Sequence, residues 1–327
     1  MPLPTINPPL LNSANPWATT LEDLQPLFDC PNTGAVTTRT SLLHGFEHDG
    51  NVHQYTFFSP SNYQVAKYGK GPSNLNGSLN TLGYSPIPLS TYLSIIGRVV
   101  ADSKLPAEQR DRKPFLISVT GSAAAVWECY RLITATQAKL PNPLCMEINL
   151  SCPNIPDKPP PAYSGESLKE YLAVLARERT DGGVAIGIKT PPYTYHGQFT
   201  TLVDALLASS GDVACPVDFI TATNTLGSCL VLSDDGDGPA INSASGAGIG
   251  GMAGAPLHPL ALGNVKIIRS MLDQHEQLRM IDVIGIGGVE DSAGFERMKA
   301  VGAKAVGVGT ALGREGVEVF GKIIAGH

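Results

Sequence analysis

The sequence is short of basic residues, paired cysteines and long apolar runs, and each shortage removes a class of protein. Lys and Arg number 23 against 29 acidic residues, a net charge of -6, which leaves no basic footprint for nucleic acid or an anionic membrane. No apolar run approaches the ~18 residues that a membrane span requires. The start, "MPLPTINPPLLNSANPW", has neither the basic segment nor the apolar stretch of a signal peptide. The six cysteines form no CxxC pair, which argues against a zinc ribbon or dithiol centre and gives no reason to expect a metal. The expectation is a cytoplasmic protein with neither nucleic acid nor membrane as partner.

What is present is apolar and rhythmic. With 43% hydrophobic residues over 327 positions, the chain can bury a large core. Short β-rich runs occur at 34–38, 114–120, 144–150, 184–190, 218–224, 282–288 and 303–310. They lack polar alternation, as strands of a parallel sheet covered on both faces do. Helical patterns fill 122–138, 198–209, 259–275 and 291–301, and Leu168, Leu172 and Leu175 mark another, with Ser167 and Glu170 as a capping box. The rhythm leaves room for eight β-then-α units, predicting an α/β fold of the (β/α)8 TIM-barrel type, with a doubly wound open sheet as the rival. Two Gly- and Ser-rich stretches, 42–90 and 227–256, interrupt it and predict loop or hairpin insertions at the C-terminal mouth.

In such a barrel the strand ends carry the chemistry. There the sequence places Arg39, Thr40, Asn149, Cys152, Asn154, Lys189, Asn224, Thr225 and the glycine turns at 287–288 and 309–310. Singly, each has a plain explanation: an asparagine closes turns, a cysteine fills core, a lysine reaches solvent. Together they describe a site for a planar ligand with alternating N–H and C=O groups, because a carboxamide offers both a donor and an acceptor. The glycine turns fit a phosphate held by backbone N–H groups. The GxGxxG match at 246–251 follows no strand, so a dinucleotide fold is a weak reading.

"EINLSCPNIPDKP" (147–159), "GIKTPPY", "ATNTLG", "GIGG" and "VGVGTAL" resemble the dihydroorotate dehydrogenases. The cysteine of "NLSCPN" resembles the soluble class 1 enzymes. "DKPPPAY", "SLNTLG" and "GREGVEVFGKI" resemble the homodimeric, fumarate-using class 1A branch. The resemblance implies an FMN-dependent flavoprotein of pyrimidine biosynthesis, residues 1–327 forming one barrel domain, that oxidises dihydroorotate to orotate with fumarate as oxidant. It implies Cys152 as catalytic base, on a flexible loop spanning 147–160, and Lys189 as the cation beside the flavin. Asn80, Asn149, Asn154 and Asn224 would grip the pyrimidine, with Thr225 beside them and the Leu82–Gly83–Tyr84 backbone at the substrate carboxylate. Gly250, Gly251, Gly287, Gly288, Gly309 and Thr310 would cradle the FMN phosphate, and Asn149 and Arg39 would touch both ligands. Arg39 departs from the lysine of the family, and "NSANPW" from its usual "NASG" turn. Another pyrimidine or cyclic amide as substrate, or a flavin- or pyrimidine-binding protein without catalysis, is the alternative.

Overall fold

The computed structural model describes residues 2–66, 74–152, 154, 160–179, 183–210 and 215–326. Pro153 and residues 155–159, part of the expected 147–160 loop, lie outside them.

Eight parallel strands ring the core. In chain order they are β1 (Leu10–Asn12), β2 (Val36–Thr37), β5 (Phe115–Val119), β6 (Leu144–Asn149), β7 (Ala185–Thr190), β8 (Phe219–Ala222), β11 (Asp282–Ile286) and β12 (Ala305–Val308). Their order in the sheet is β1-β12-β11-β8-β7-β6-β5-β2. The Gly34 N–H donates to the Leu10 carbonyl at 2.8 Å, and Leu11 bridges Ala35, drawing the two end strands together. The (β/α)8 barrel expected from the rhythm is therefore present. Helices α1 (Leu21–Asp29), α2 (Leu89–Ala101), α3 (Ala107–Arg110), α4 (Ala123–Gln137), α5 (Gly165–Glu178), α6 (His196–Ser210), α7 (His258–Asp273), α8 (Ser292–Ala300), α9 (Thr310–Glu315) and α10 (Glu318–Ile324) accompany the strands. The cap of α5 is Ser164, whose hydroxyl accepts from the Ser167 N–H, so Ser167 lies inside the first turn and not at its start. Among the described residues no helix is long and apolar enough to cross a membrane.

The lumen explains where the site must lie. Side chains two apart on a strand share a face. Leu11, Ala35, Leu116, Cys145, Ala185, Phe219, Ile284 and Ala305 pack as one buried cluster, one contribution from each strand or its edge. Each Leu, Ile or Phe there gains about 1.5–3 kcal/mol on leaving water. Gly187 makes room for Phe219, since a Cβ there would stand 2.1 Å from its ring. Two residues further along, the same faces turn polar: Thr37, Ser118, Glu147 and Thr221. Two further still are Arg39, Asn149, Lys189 and Thr223. The barrel thus has an apolar floor and a polar top.

The two interruptions do not act as separate loops. β3 (Tyr55–Phe58) and β4 (Gly77–Asn80) come from the first, and β9 (Leu226–Cys229) and β10 (Gly250–Gly254) from the second. They form one antiparallel sheet in the order β3-β4-β10-β9, with its own cluster of Phe58, Leu79, Val231 and Ile241.

Candidate active site

A cavity opens at the polar end. Arg39, Asn80, Leu82, Gly83, Tyr84, Asn149, Cys152, Asn154, Lys189, Asn224, Thr225, Gly287, Gly288, Gly309 and Thr310 all line it. Gly250 and Gly251 do not. They lie in β10 behind Asn80, where a Cβ on Gly250 would stand 2.2 Å from the Asn80 carbonyl oxygen. That strand reaches the cavity with Ala253 and Gly254 instead.

Asn149 and Lys189 are direct partners in the β6–β7 register. A chain of hydrogen bonds fixes the Asn149 amide. Ser118 donates to the buried Glu147 carboxylate at 3.0 Å, so Thr40, 2.9 Å from Ser118, must donate to it. Thr40 is then the acceptor for Asn149 Nδ2 at 3.0 Å. Asn149 Oδ1 is left to take the Ser151 N–H and hydroxyl and the Asn224 amide, each at 3.2 Å. Removing the terminal acceptor frees every hydrogen in this chain to reverse. Glu147→Leu is accordingly expected to raise the substrate KM about tenfold, one hydrogen bond's worth. Glu147→Gln keeps an acceptor and should stay near the parent value; steady-state kinetics distinguish them.

The other carboxamides are fixed by the backbone and by neighbouring side chains, Asn224 Nδ2 also donating to Ser151 Oγ at 2.9 Å. Asn154 Nδ2 donates to Leu82 O and Asn80 Oδ1, both at 2.9 Å. Asn80 Nδ2 donates to Gly251 O at 3.1 Å, and Asn224 Oδ1 accepts from the Thr225 N–H at 2.8 Å. Each amide nitrogen carries two hydrogens and each amide oxygen two lone pairs. Among the described residues, Asn149 and Asn80 each keep one N–H unengaged, and Asn154 and Asn224 each keep acceptor capacity. The four side chains together offer two donors and two acceptors.

Lys189 is 4% exposed, and its ammonium makes no hydrogen bond or ion pair with any described residue. Such a charge is costly to bury alone and calls for a ligand acceptor. The Thr223 hydroxyl is likewise buried without a partner among the described residues. Cys152 is half-buried. Burial pushes its thiol above the ordinary range, while the Asn154 backbone N–H, Lys189, the Tyr84 hydroxyl and Arg39 pull it down. Arg39 Nη2 donates to the Tyr84 and Gly83 carbonyls at 3.2 and 3.4 Å.

The opposite end of the cavity suits an anion. The backbone N–H groups of Gly288 and Gly309 donate to no acceptor among the described residues. At Gly288 φ is +68°, and a Cβ would stand 2.5 Å from Gly254 O, so the turn demands glycine. Arg297 Nε donates to His258 Nε2 at 3.1 Å, which leaves the proton on Nδ1 to hold Gly287 O at 2.7 Å. Thr310 and Ser78 hydroxyls meet at 2.8 Å. A cradle and an unpartnered cation in one cavity fit a phosphate-bearing, electron-accepting ring.

Sequence reasoning passed over the aromatic wall. Trp17 stacks on Phe57 at 5.8 Å and meets Tyr55 edge-on at 5.3 Å, and Trp17 and Tyr55 line the cavity. The available signal was "NPW" at 15–17, two residues beyond the strand Leu10–Asn12, but a strand of three residues leaves too little pattern to be seen.

The family model for dihydroorotate dehydrogenase matches residues 73–326. The chain belongs to the dihydroorotate dehydrogenase family. It is 27% identical over 317 residues to dihydroorotate dehydrogenase A (fumarate) of Lactococcus lactis subsp. cremoris, covering 97% of this chain and 88% of that one. It is 28% identical over 318 residues to dihydroorotate dehydrogenase (fumarate) of Trypanosoma cruzi, covering 96% and 87%. In fold it resembles the ligand-free dihydroorotate dehydrogenase of Eimeria tenella, at a TM-score of 0.67 and 16% identity over 96% of this chain and 82% of that one. Dihydroorotate dehydrogenases are flavin-dependent oxidoreductases whose reaction, the oxidation of dihydroorotate, belongs to pyrimidine biosynthesis.

Proposed function

We propose that the chain acts as one barrel domain that holds FMN and oxidises (S)-dihydroorotate to orotate, with fumarate as the final oxidant. The observation that carries this reading is the set of two donors and two acceptors left by the four asparagines. Dihydroorotate presents two ring N–H groups and two ring carbonyls, the complement of that set. Leu82, Gly83 and Tyr84 supply the backbone beside its carboxylate, and Thr225 closes the ring's other edge.

Cys152 takes the proton from C5 onto its sulfur as the C5–C6 bond gains its second pair. FMN, when bound, supplies the acceptor for the hydride that leaves C6. Lys189 sets a fixed positive charge beside the flavin, at no reorganisation cost during the reaction. Gly287, Gly288, Gly309 and Thr310 hold the phosphate with backbone N–H groups, and Gly250 and Gly251 serve the pyrimidine end instead, by seating Asn80. Arg39 stands between the two ligands, with its fork tied to the Gly83 and Tyr84 carbonyls. A cytoplasmic homodimer is part of the same reading, supported by the class 1A motifs.

The test is anaerobic. Dihydroorotate added to the yellow protein should bleach its visible band within one turnover, and fumarate should restore it. A band that stays unchanged would remove dihydroorotate as substrate and direct the search to other cyclic amides.

A further inference from the structure

Two side chains outside the cavity act on a backbone group inside it. Gly288 lines the cavity of the site and also a second hollow, whose charged and titratable residues are His258, Glu290, Asp291 and Arg297. The peptide joining Gly287 to Gly288 forms the partition between them. It is trans, so its carbonyl and its N–H point in opposite directions. On the side of the second hollow the carbonyl takes the Nδ1 hydrogen of His258, the first residue of α7, at 2.7 Å. The N–H is thereby turned towards the site, where it donates to no described residue.

This orientation has to be selected. Gly287 and Gly288 have φ of +144° and +68°, and neither has a Cβ to resist rotation of the peptide between them. Among the described residues only His258 donates to the Gly287 carbonyl. A neutral histidine can carry its proton on either ring nitrogen, and only the Nδ1–H form holds a carbonyl here. Arg297 of α8 settles which form is present. Its Nε reaches His258 Nε2 at 3.1 Å, and a guanidinium only donates, so Nε2 carries no hydrogen.

We infer that the Arg297–His258 pair aims the Gly288 N–H at the FMN phosphate. Both are positioning residues: His258 sets the peptide, and Arg297 sets His258. The inference rests on the glycine turns holding that phosphate, as proposed above. The carboxylates of the second hollow are committed to other groups. Glu290 accepts from Asn76 Nδ2 and Arg314 Nη1, each at 2.8 Å, and Asp291 caps α8 through the Gly294 N–H at 2.7 Å. Arg297 is left as the charged partner of the imidazole.

The experiment compares FMN with riboflavin, which lacks only the phosphate. The full-length protein is stripped of flavin and titrated with each, following the quenching of flavin fluorescence. His258→Leu should weaken FMN about tenfold, one hydrogen bond's worth, and leave riboflavin unchanged. His258→Asn puts an amide N–H near the place of Nδ1 and should restore most of that loss. Arg297→Met, at an exposed position, should weaken FMN about threefold, part of the same bond. An amide has no tautomers, so in the His258→Asn background Arg297→Met should cost nothing further. A charge acting directly on the phosphate would weaken FMN in both backgrounds, and that result would overturn the inference. An FMN-to-riboflavin preference that stays at the parent value in either His258→Leu or Arg297→Met would overturn it too. Should His258→Leu fail to fold, Arg297→Met in the two backgrounds decides alone. A parent protein that binds both flavins equally would remove the phosphate cradle itself, and the inference with it. A parent that prefers FMN, with variants that keep the preference, retains the cradle and loses the inference.

Discussion

Cys152→Ala is expected to leave a yellow, folded protein whose reduction by dihydroorotate is slowed about 10²–10⁴-fold, the usual contribution of a positioned base. The residue lies among the asparagines, away from the glycine turns that would carry a phosphate, so flavin content should not change. Cys152→Ser should lose nearly as much, because a hydroxyl held by the same neighbours ionises far less readily than a thiol. Stopped-flow measurement of the anaerobic reductive step reads this directly. The parent reaction should also be pH-dependent. Burial raises the Cys152 thiol above its ordinary range, and the thiolate is the reactive form. The rate is therefore expected to climb with pH and to level off only above the range of an ordinary thiol. Undiminished reduction in Cys152→Ala would move the base elsewhere in the cavity.

The second large effect is expected at Lys189, with opposite signs for stability and activity. Lys189 is 4% exposed as a residue in the barrel lumen, and its ammonium has no acceptor among the described residues. Lys189→Met keeps most of the volume and removes the unpaired charge. The flavin-free protein should gain about 1–3 kcal/mol, within the range seen when well-packed apolar side chains replace buried charges. The flavin-loaded protein should lose about 10²–10³-fold in the reductive step, as when one preorganised electrostatic partner is removed. Thermal unfolding of the flavin-free form and single-turnover kinetics of the loaded form measure the two signs. A variant that is both less stable without flavin and fully active would show that Lys189 serves packing and not the ligand.

Much of this was legible in the sequence because it rests on period and punctuation. Apolar runs ending in polar residues announced the strands β5, β6, β7, β8, β11 and β12, and their last residues named the mouth. β1 escaped, since Leu10–Asn12 is too short to show a pattern and is defined by pairing with β12 across nearly the whole chain. The cap of α5 was displaced to Ser164 because several serines near the helix start can serve, and the chain entry angle chooses. The family resemblance assigned Gly250 and Gly251 to the phosphate cradle; the β4–β10 pairing, invisible locally, makes them strand residues. Glu147 escaped notice because one carboxylate inside an apolar run reads as an irregularity until Ser118 is found beside it. The Trp17–Tyr55–Phe57 wall joins residues from separate elements, and only packing brings them together.

The four-stranded sheet has a consequence for how this protein can change over generations. In most barrels each mouth loop can lengthen or shorten by itself. Here β4 and β10 are paired residue by residue from Asn80–Gly251 to Gly77–Gly254, so the two insertions share one register. Its Asn80 end meets the asparagine cluster, and its Gly254 end meets the turn at Gly288. A single-residue slip would turn every side chain on one strand to the other face. Length changes within the paired part of either insertion are therefore tolerated only when the other compensates, and the span from pyrimidine end to phosphate end is inherited as one unit.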